Sequence, residues 1–424
     1  MKKKNGFTLV ELLAVIVILA IILVIAVPKI TDTIKNSKIA SFESSAKTIA
    51  AQAEKKKMEK EILEDTGSIN CSDVVKLNDT DYGNCSITFD GNTAKVTLVG
   101  KGKFKGLKIT NGTKDNAKAE EIKAPVYGNA VNYVNGLYAY DASSNGLERD
   151  TTSDANIRYV GANPNNYVEF NGETWRIIGV FGSNLKLVRD DILTTYSFDN
   201  KTTVQGIETD KGTNDWTKSY LREFLNDYYY GGKTITCHSE TSGSTATNAT
   251  IICPEINKIN ATAKSMIQNT TWNLGGTTWK TGTPPYETYP VNELYESERG
   301  TQVYSKHATT STDYIGLIYP SDYGYASTDA SCRQNLRAGL TYTNNTWGVT
   351  PTCKNNNWLF KRGWYWTISP RSSNASNVFD VGIDGYLDSS NALYRKNVRP
   401  SVYLKSDIKI VSGSGTKDDS FKLG

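Results

Sequence analysis

Residues 2–27 read KKKNGFTLVELLAVIVILAIILVIAV. From Phe7 to Val27 every residue except Thr8 and Glu11 is apolar. As a helix this run reaches about 30 Å, the thickness of a bilayer's hydrocarbon core. Lys2, Lys3 and Lys4 precede it and favour a cytoplasmic N-terminus, so everything beyond about residue 30 is expected outside. A cleaved secretory signal has a shorter core and a small-residue site. Ala20 and Ala26 are present, but the core runs past them to Pro28 and Lys29. A plain anchor leaves Glu11 unexplained, because a carboxylate near the centre of a membrane helix costs about 2.5–3.5 kcal/mol and usually has a partner.

The order Lys2-Lys3-Lys4-Asn5-Gly6, Phe7-Thr8-Leu9-Val10-Glu11-Leu12-Leu13 resembles the class III leader of type IV pilins and type II secretion pseudopilins. The resemblance covers about the first 35 residues. It implies that a prepilin peptidase cuts after Gly6 and methylates the new N-terminus, Phe7. Glu11 lies one helical turn after Phe7, and a buried carboxylate needs a cation. The α-amino group of a neighbouring subunit's Phe7 supplies one and sets the axial register on assembly. Other pilin subunits and the pilus assembly machinery are the partners this implies.

Outward from the leader (1–6), the sequence divides into four further regions. Residues 7–63 are expected to form one helix of about 85 Å, with 7–27 as the membrane span and Pro28 as a kink. Ile30, Ile34, Phe42, Ala46, Ile49, Ala50 and Ala53 recur at three- or four-residue spacing and make its apolar stripe. Residues 64–112 read as a small antiparallel β unit. Ser86–Phe89 and Ala94–Leu98 alternate about a turn at Asp90-Gly91-Asn92, and a further strand is expected over Phe104–Thr110. Residues 113–128 are polar and read as a linker. Lys101, Lys103, Lys105 and Lys108 form a basic cluster; a solvated strand edge explains it better than contact with DNA or a cell-wall polymer.

The six cysteines fall as three local pairs on the predicted outer side, and an even count in an exported chain favours disulfides: Cys71–Cys85, Cys237–Cys253 and Cys332–Cys353. Zinc is the rival, but no C-x-x-C occurs and the chain has only 2 histidines.

Residues 129–424 are too large for an ordinary pilin sheet and hold all 8 tryptophans. Strand-like runs open the region (Tyr167–Phe170, Trp175–Val180, Leu185–Val188) and close it (Val378–Val381, Val402–Leu404), with a short helix expected at Ser219–Asn226. The Trp175-Arg176-Ile177-Ile178 strand, Gly316-Leu317-Ile318-Tyr319-Pro320-Ser321-Asp322, Trp366-Thr367-Ile368-Ser369-Pro370 and Val398-Arg399-Pro400-Ser401-Val402-Tyr403-Leu404 resemble uncharacterised bacterial extracellular domains. The resemblance spans most of 165–405. It implies the mixed α/β fold of C-type lectins and formylglycine-generating enzymes, and function does not transfer with a fold. The lectin calcium triplets Glu-Pro-Asn and Trp-Asn-Asp do not occur, and Asp380, Asp384 and Asp388 read as a solvated acidic turn rather than a calcium site.

Catalytic constellations are equally thin. No Gly-x-Ser-x-Gly, Walker loop or His-Glu-x-x-His occurs. Cys237 and His238 are adjacent on a strand and so point apart. Neither an enzyme nor a cofactor is expected, and some of the 25 tyrosines and the tryptophans could stack on sugar rings.

Composition is consistent with an exported α+β chain. Over 424 residues, 22% are charged and 38% hydrophobic, and the 10% aromatic content argues against general disorder. The formal charge is 48 − 44 = +4, most of it from the leader lysines, which gives no case for a nucleic-acid binder overall. The expected role is a type IV pilin-like filament subunit, minor or at the tip, displaying a large domain for adhesion or surface binding to a glycan or protein. A competence (DNA-uptake) or secretion pseudopilin and a membrane-anchored extracellular enzyme are the alternatives. The precursor is expected in the cytoplasmic membrane as a single-pass protein, and the mature chain on the cell surface.

Overall fold

A computed structural model of the protein describes residues 9–424 except 79, 205, 241–242, 279–288 and 337–350, without the side chains of residues 10, 11, 21, 23–25, 207 and 351. The chain forms two compact units: Met1–Ala124 with Ala139–Asp141, and Pro125–Tyr138 with Ala142–Gly424. The architecture is α+β.

The smaller unit is built on helix α1, Leu9–Ile62, which runs for 54 residues with Pro28 inside it. Proline removes one intrahelical donor. Just beyond it, the hydroxyls of Thr31 and Thr33 donate to the carbonyls of Val27 and Lys29, at 2.9 and 2.8 Å. A short helix α2 (Cys71–Val74) follows, then strands β1 (Tyr82–Asp90), β2 (Thr93–Gly100), β3 (Leu107–Gly112) and β4 (Glu120–Glu121), hydrogen-bonded in that order. The β1–β2 turn places Gly91 at φ 57°, where a residue without Cβ carries no strain. Alternation on β2 drives Ala94, Val96 and Leu98 onto the helix. There they meet Phe42, Ala46, Ile49, Ala50 and Ala53, all fully buried.

The expected helix stripe therefore packs from Phe42 onward. Ile30 and Ile34 remain 57% and 53% exposed, because the sheet covers only the C-terminal part of α1. Phe104 belongs to a 3-10 turn, Gly102–Phe104, and the strand begins only at Leu107. Within the stretch expected to be a linker, β4 pairs with Leu107 and Lys108, Ala117 is buried, and Ala119 N–H donates to Glu43 Oε1 at 3.0 Å. A small apolar residue in a polar run is enough to fold it onto the sheet.

The larger unit carries a nine-stranded and a five-stranded sheet among its described residues. The first runs in the order Ser401–Tyr403, Asn184–Arg189, Glu173–Phe181, Tyr167–Phe170, Phe421–Leu423, Lys409–Ser412, Gly128–Asn129; Ile157–Tyr159 also pairs with Glu173–Phe181, and with Leu147–Arg149. The second runs Thr194–Ser197, Arg395–Val398, Tyr365–Pro370, Asn377–Val381, Leu387–Asn391. The helix expected at Ser219–Asn226 starts with Ser219, whose hydroxyl oxygen accepts from Arg222 N–H at 3.1 Å. It forms one α turn, Tyr220–Glu223, and continues as a π-helix, Phe224–Tyr230, burying Leu221, Phe224 and Leu225. Three disulfides, Cys71–Cys85, Cys237–Cys253 and Cys332–Cys353, fit the disulfide reading.

Candidate functional site

Two places in the chain carry features beyond packing. The first is the N-terminal part of α1. Gly6 and Phe7 lie outside the described residues; Glu11 lies within α1, its side chain outside the description. Among the side chains described there, Leu9, Leu12, Leu13, Val15 to Leu19, Ile22, Val27, Ile30 and Ile34 are exposed along the helix. Each such side chain gains about 1.5–3 kcal/mol when fully buried, so this surface has a strong tendency to be covered. Among the described residues, no helix is long and apolar enough to cross a membrane. The expected span 7–27 begins outside them.

The second place is a charged cluster inside the larger unit. Arg158 Nε donates to Asp150 Oδ2 at 2.5 Å, and its Nη1 donates to Asp322 Oδ1 at 2.9 Å. Lys186 Nζ donates to Asp322 Oδ2 at 2.5 Å, and Tyr319 N–H donates to the same oxygen at 2.9 Å. All four charged side chains are buried, two of each sign. Burial alone would raise Asp322, but Lys186 and Arg158 outweigh it and hold the carboxyl below its ordinary range. Burial depresses Lys186 to about 8 against the pull of Asp322. Beside them, Glu298 accepts from Ser321 N–H at 2.8 Å and from Ser321 Oγ at 2.5 Å. Burial lifts its carboxyl to about 7, against the pull of Arg299. These bonds join Val291–Arg299 to Pro320–Tyr325 and to the nine-stranded sheet. The cluster is a polar brace with neutral overall charge.

Residues 1–27 match the family model of the prokaryotic N-terminal methylation motif. No curated protein and no solved structure matches the chain. The methylation motif supports a type IV pilin-like or pseudopilin subunit. It implies processing by a prepilin peptidase, a membrane-anchored precursor, and assembly into pilus-type machinery.

The remaining sequence candidates resolve individually. The reading of a solvated acidic turn holds only for Asp384: Asp380 is fully buried and Asp388 half-buried, opposite each other on adjacent strands, because the sheet continues on either side of the turn. Among the described residues, no group of three or more His, Cys, Asp or Glu side chains is placed to hold a metal ion. Cys237 is disulfide-bonded, and the His238 ring stacks on Tyr220 with centroids 4.0 Å apart. In the basic cluster, Lys103 pairs with Asp81 at 3.0 Å. Of the tryptophans, Trp175, Trp216, Trp272, Trp358 and Trp366 are buried, Trp364 is half-buried, and Trp279 and Trp347 lie outside the described residues.

The sequence reading missed the buried brace. Its one local signal is the helix-capping position of Asp322 in Tyr319-Pro320-Ser321-Asp322.

Proposed function

We propose that the chain is a type IV pilin-like filament subunit, in a minor or tip position, displaying residues 129–424 for adhesion or surface binding. The observation that carries this reading is the division of α1. One 54-residue helix buries Phe42 to Ala53 against its own sheet and leaves an apolar surface over its N-terminal part. That surface suits first a membrane, with Lys2–Lys4 inside, and later neighbouring helices in a fibre. Glu11 then takes the α-amino group of a neighbouring Phe7 as its partner, and Gly6 marks the cut. The larger unit acts by binding rather than by catalysis, a reading supported by Cys237 being held in a disulfide.

The minor or tip position rests on size. A compact unit of nearly 300 residues has a radius of gyration of about 19 Å, whereas packed helices lie about 10 Å apart. One such unit on every subunit would crowd the fibre. Labelling residues 129–424 on native filaments tests this. Label at ends or sparse points is expected, and continuous label along the shaft would make the chain the main subunit. The leader serves a secretion or competence pseudopilin equally well, but the Lys103–Asp81 pair takes charge from the cluster that a DNA contact would use.

A further inference from the structure

Among the described tryptophans, Trp364 stands apart: it is half-buried where the others are buried. It precedes the strand Tyr365–Pro370 and meets Tyr386 edge-on, with ring centroids 5.9 Å apart and planes at 89°. Gly382 permits that pairing. A Cβ there would lie 3.2 Å from Tyr386 Cζ and 3.3 Å from Trp364 Cζ3, tighter than packed side chains ordinarily sit.

Register then places polar groups beside the rings. Trp366 is opposite Asp380, and Asp380 is opposite Asp388. Residues directly opposite share a face, and by the two-residue period so do Trp364, Gly382, Tyr386 and Ser390. Lys396, from the strand on the other flank, reaches the same face, with Nζ 4.1 Å from the Trp364 ring centre and 3.2 Å from Asp380 Oδ1. Asp380 is fully buried and is paired with the Lys396 ammonium, with the Ser390 hydroxyl beside it. Among the described residues, Leu387–Asn391 is the outer strand of this sheet, and Asp388 to Asn391 are half-buried on it.

We propose that Trp364, Tyr386, Asp388 and Ser390 form a saccharide-binding subsite. The inference rests on reading the larger unit as a displayed binding unit, and it names that unit's ligand class. A sugar ring has an apolar C–H face suited to an indole, and hydroxyls around its rim that both donate and accept. Asp388 accepts and Ser390 does either, while Lys396 is buried against Trp364 and Asp380. Asp380 is a positioning residue that holds the Lys396 ammonium beside the indole. On this face the outer strand presents Asp388 and Ser390, polar side chains that match a sugar's hydroxyls better than a peptide's apolar anchors. Two carboxylates against one ammonium favour neutral or amino sugars over acidic ones.

The test uses the full-length chain, titrated with the N-acetylglucosamine tetramer, a mannose tetramer and, as the acidic counterpart, a galacturonic acid tetramer, followed by tryptophan fluorescence and calorimetry. Saturable binding of a neutral or amino sugar is expected, weakened at least tenfold by Trp364→Ala and by Asp388→Asn and unchanged by Tyr230→Ala. Asp388→Asn keeps the shape of a half-buried side chain, so the test survives if Trp364→Ala misfolds. No binding, binding unmoved by both substitutions, binding of the acidic tetramer alone, or binding of peptides alone from a random library overturns the proposal. Electron microscopy of cells expressing the same chains separates the two readings. Normal filaments whose larger unit binds no sugar overturn the subsite alone. A chain that binds sugar but never enters a filament overturns the filament reading alone.

Discussion

The two units solve opposite problems with the same kind of residue. In the smaller one, charges stay on the outside except Asp141: Lys114 pairs with Glu54, and Lys95 with Asp90, while the core is alanine, valine, leucine, isoleucine, phenylalanine and Cys71. In the larger one, Arg158, Lys186, Asp150 and Asp322 are inside, and the apolar surface on view is scattered. The smaller unit's helix carries an apolar surface that its own sheet leaves open. In the larger unit the buried charges hold strands and helices together, since each charge left alone would be costly.

The largest expected effect lies in the long helix. Glu11→Val keeps the apolar run, so membrane insertion and cleavage after Gly6 should survive while filament assembly falls to a small fraction. Mass spectrometry of the N-terminus and filament yield measure the two, and normal yield would remove the register role of Glu11. Next comes the brace. Asp322→Asn leaves Lys186 and Arg158 without their shared carboxylate and should destabilise the larger unit by about 3–5 kcal/mol. Calorimetry should show its transition moving down while that of the smaller unit stays. A shift of both together would mean that the units unfold as one.

A smaller loss, about 3 kcal/mol in the chain-entropy description, is expected in the smaller unit when Cys71 and Cys85 are both replaced by serine. Chemical denaturation followed by a probe on β1 reads it.

The smallest effect is in pH dependence, and its sign differs from one buried or paired group to the next. Glu298 is raised from 4.5 to about 7 by burial, so the folded state holds its proton more tightly than the unfolded chain. This favours folding below about pH 4.5 and fades as pH rises to about 7. Glu54 is lowered, first by its bond to Lys114, so its contribution is present above 4.5 and is lost as pH falls. His307, depressed by burial, opposes Glu298 by adding stability as pH rises toward 6.5. The comparison that isolates Glu298 is therefore wild type against Glu298→Gln. The variant should lose the decline between pH 4.5 and 7, and an unchanged profile would show that Glu298 does not titrate there.

What could be read from the sequence was local. The run after Gly6 announces the long helix, Asp90-Gly91-Asn92 announces a hairpin, and the cysteines pair with near neighbours. The brace was invisible because its bonds are distant: Arg158 and Asp322 are 164 residues apart, and Lys186 and Asp322 are 136 apart. Lys186 sits in Leu185-Lys186-Leu187-Val188, where alternation reads as a solvent-facing lysine. Its strand instead lies between two others, and its ammonium packs 4.2 Å from the Tyr319 ring centre. Phe104 misled for a similar reason. An aromatic in an apolar run resembles the start of a strand, but here it fills the core from a turn, against Phe42 and Tyr82.

The short strand Gly128–Asn129 has a mechanical consequence. Tension applied to the larger unit through Pro125 meets Gly128–Asn129 first among its strands. They pair antiparallel with Ile410 and Lys409, and the link is reinforced by Ala130 N–H donating to the Ile408 carbonyl at 2.8 Å and Asn129 Nδ2 to the Ser406 carbonyl at 2.6 Å. Hydrogen bonds loaded side by side share a force, whereas bonds loaded in sequence fail one at a time. This handful of bonds, at the end of the nine-stranded sheet, is where the first give under traction belongs.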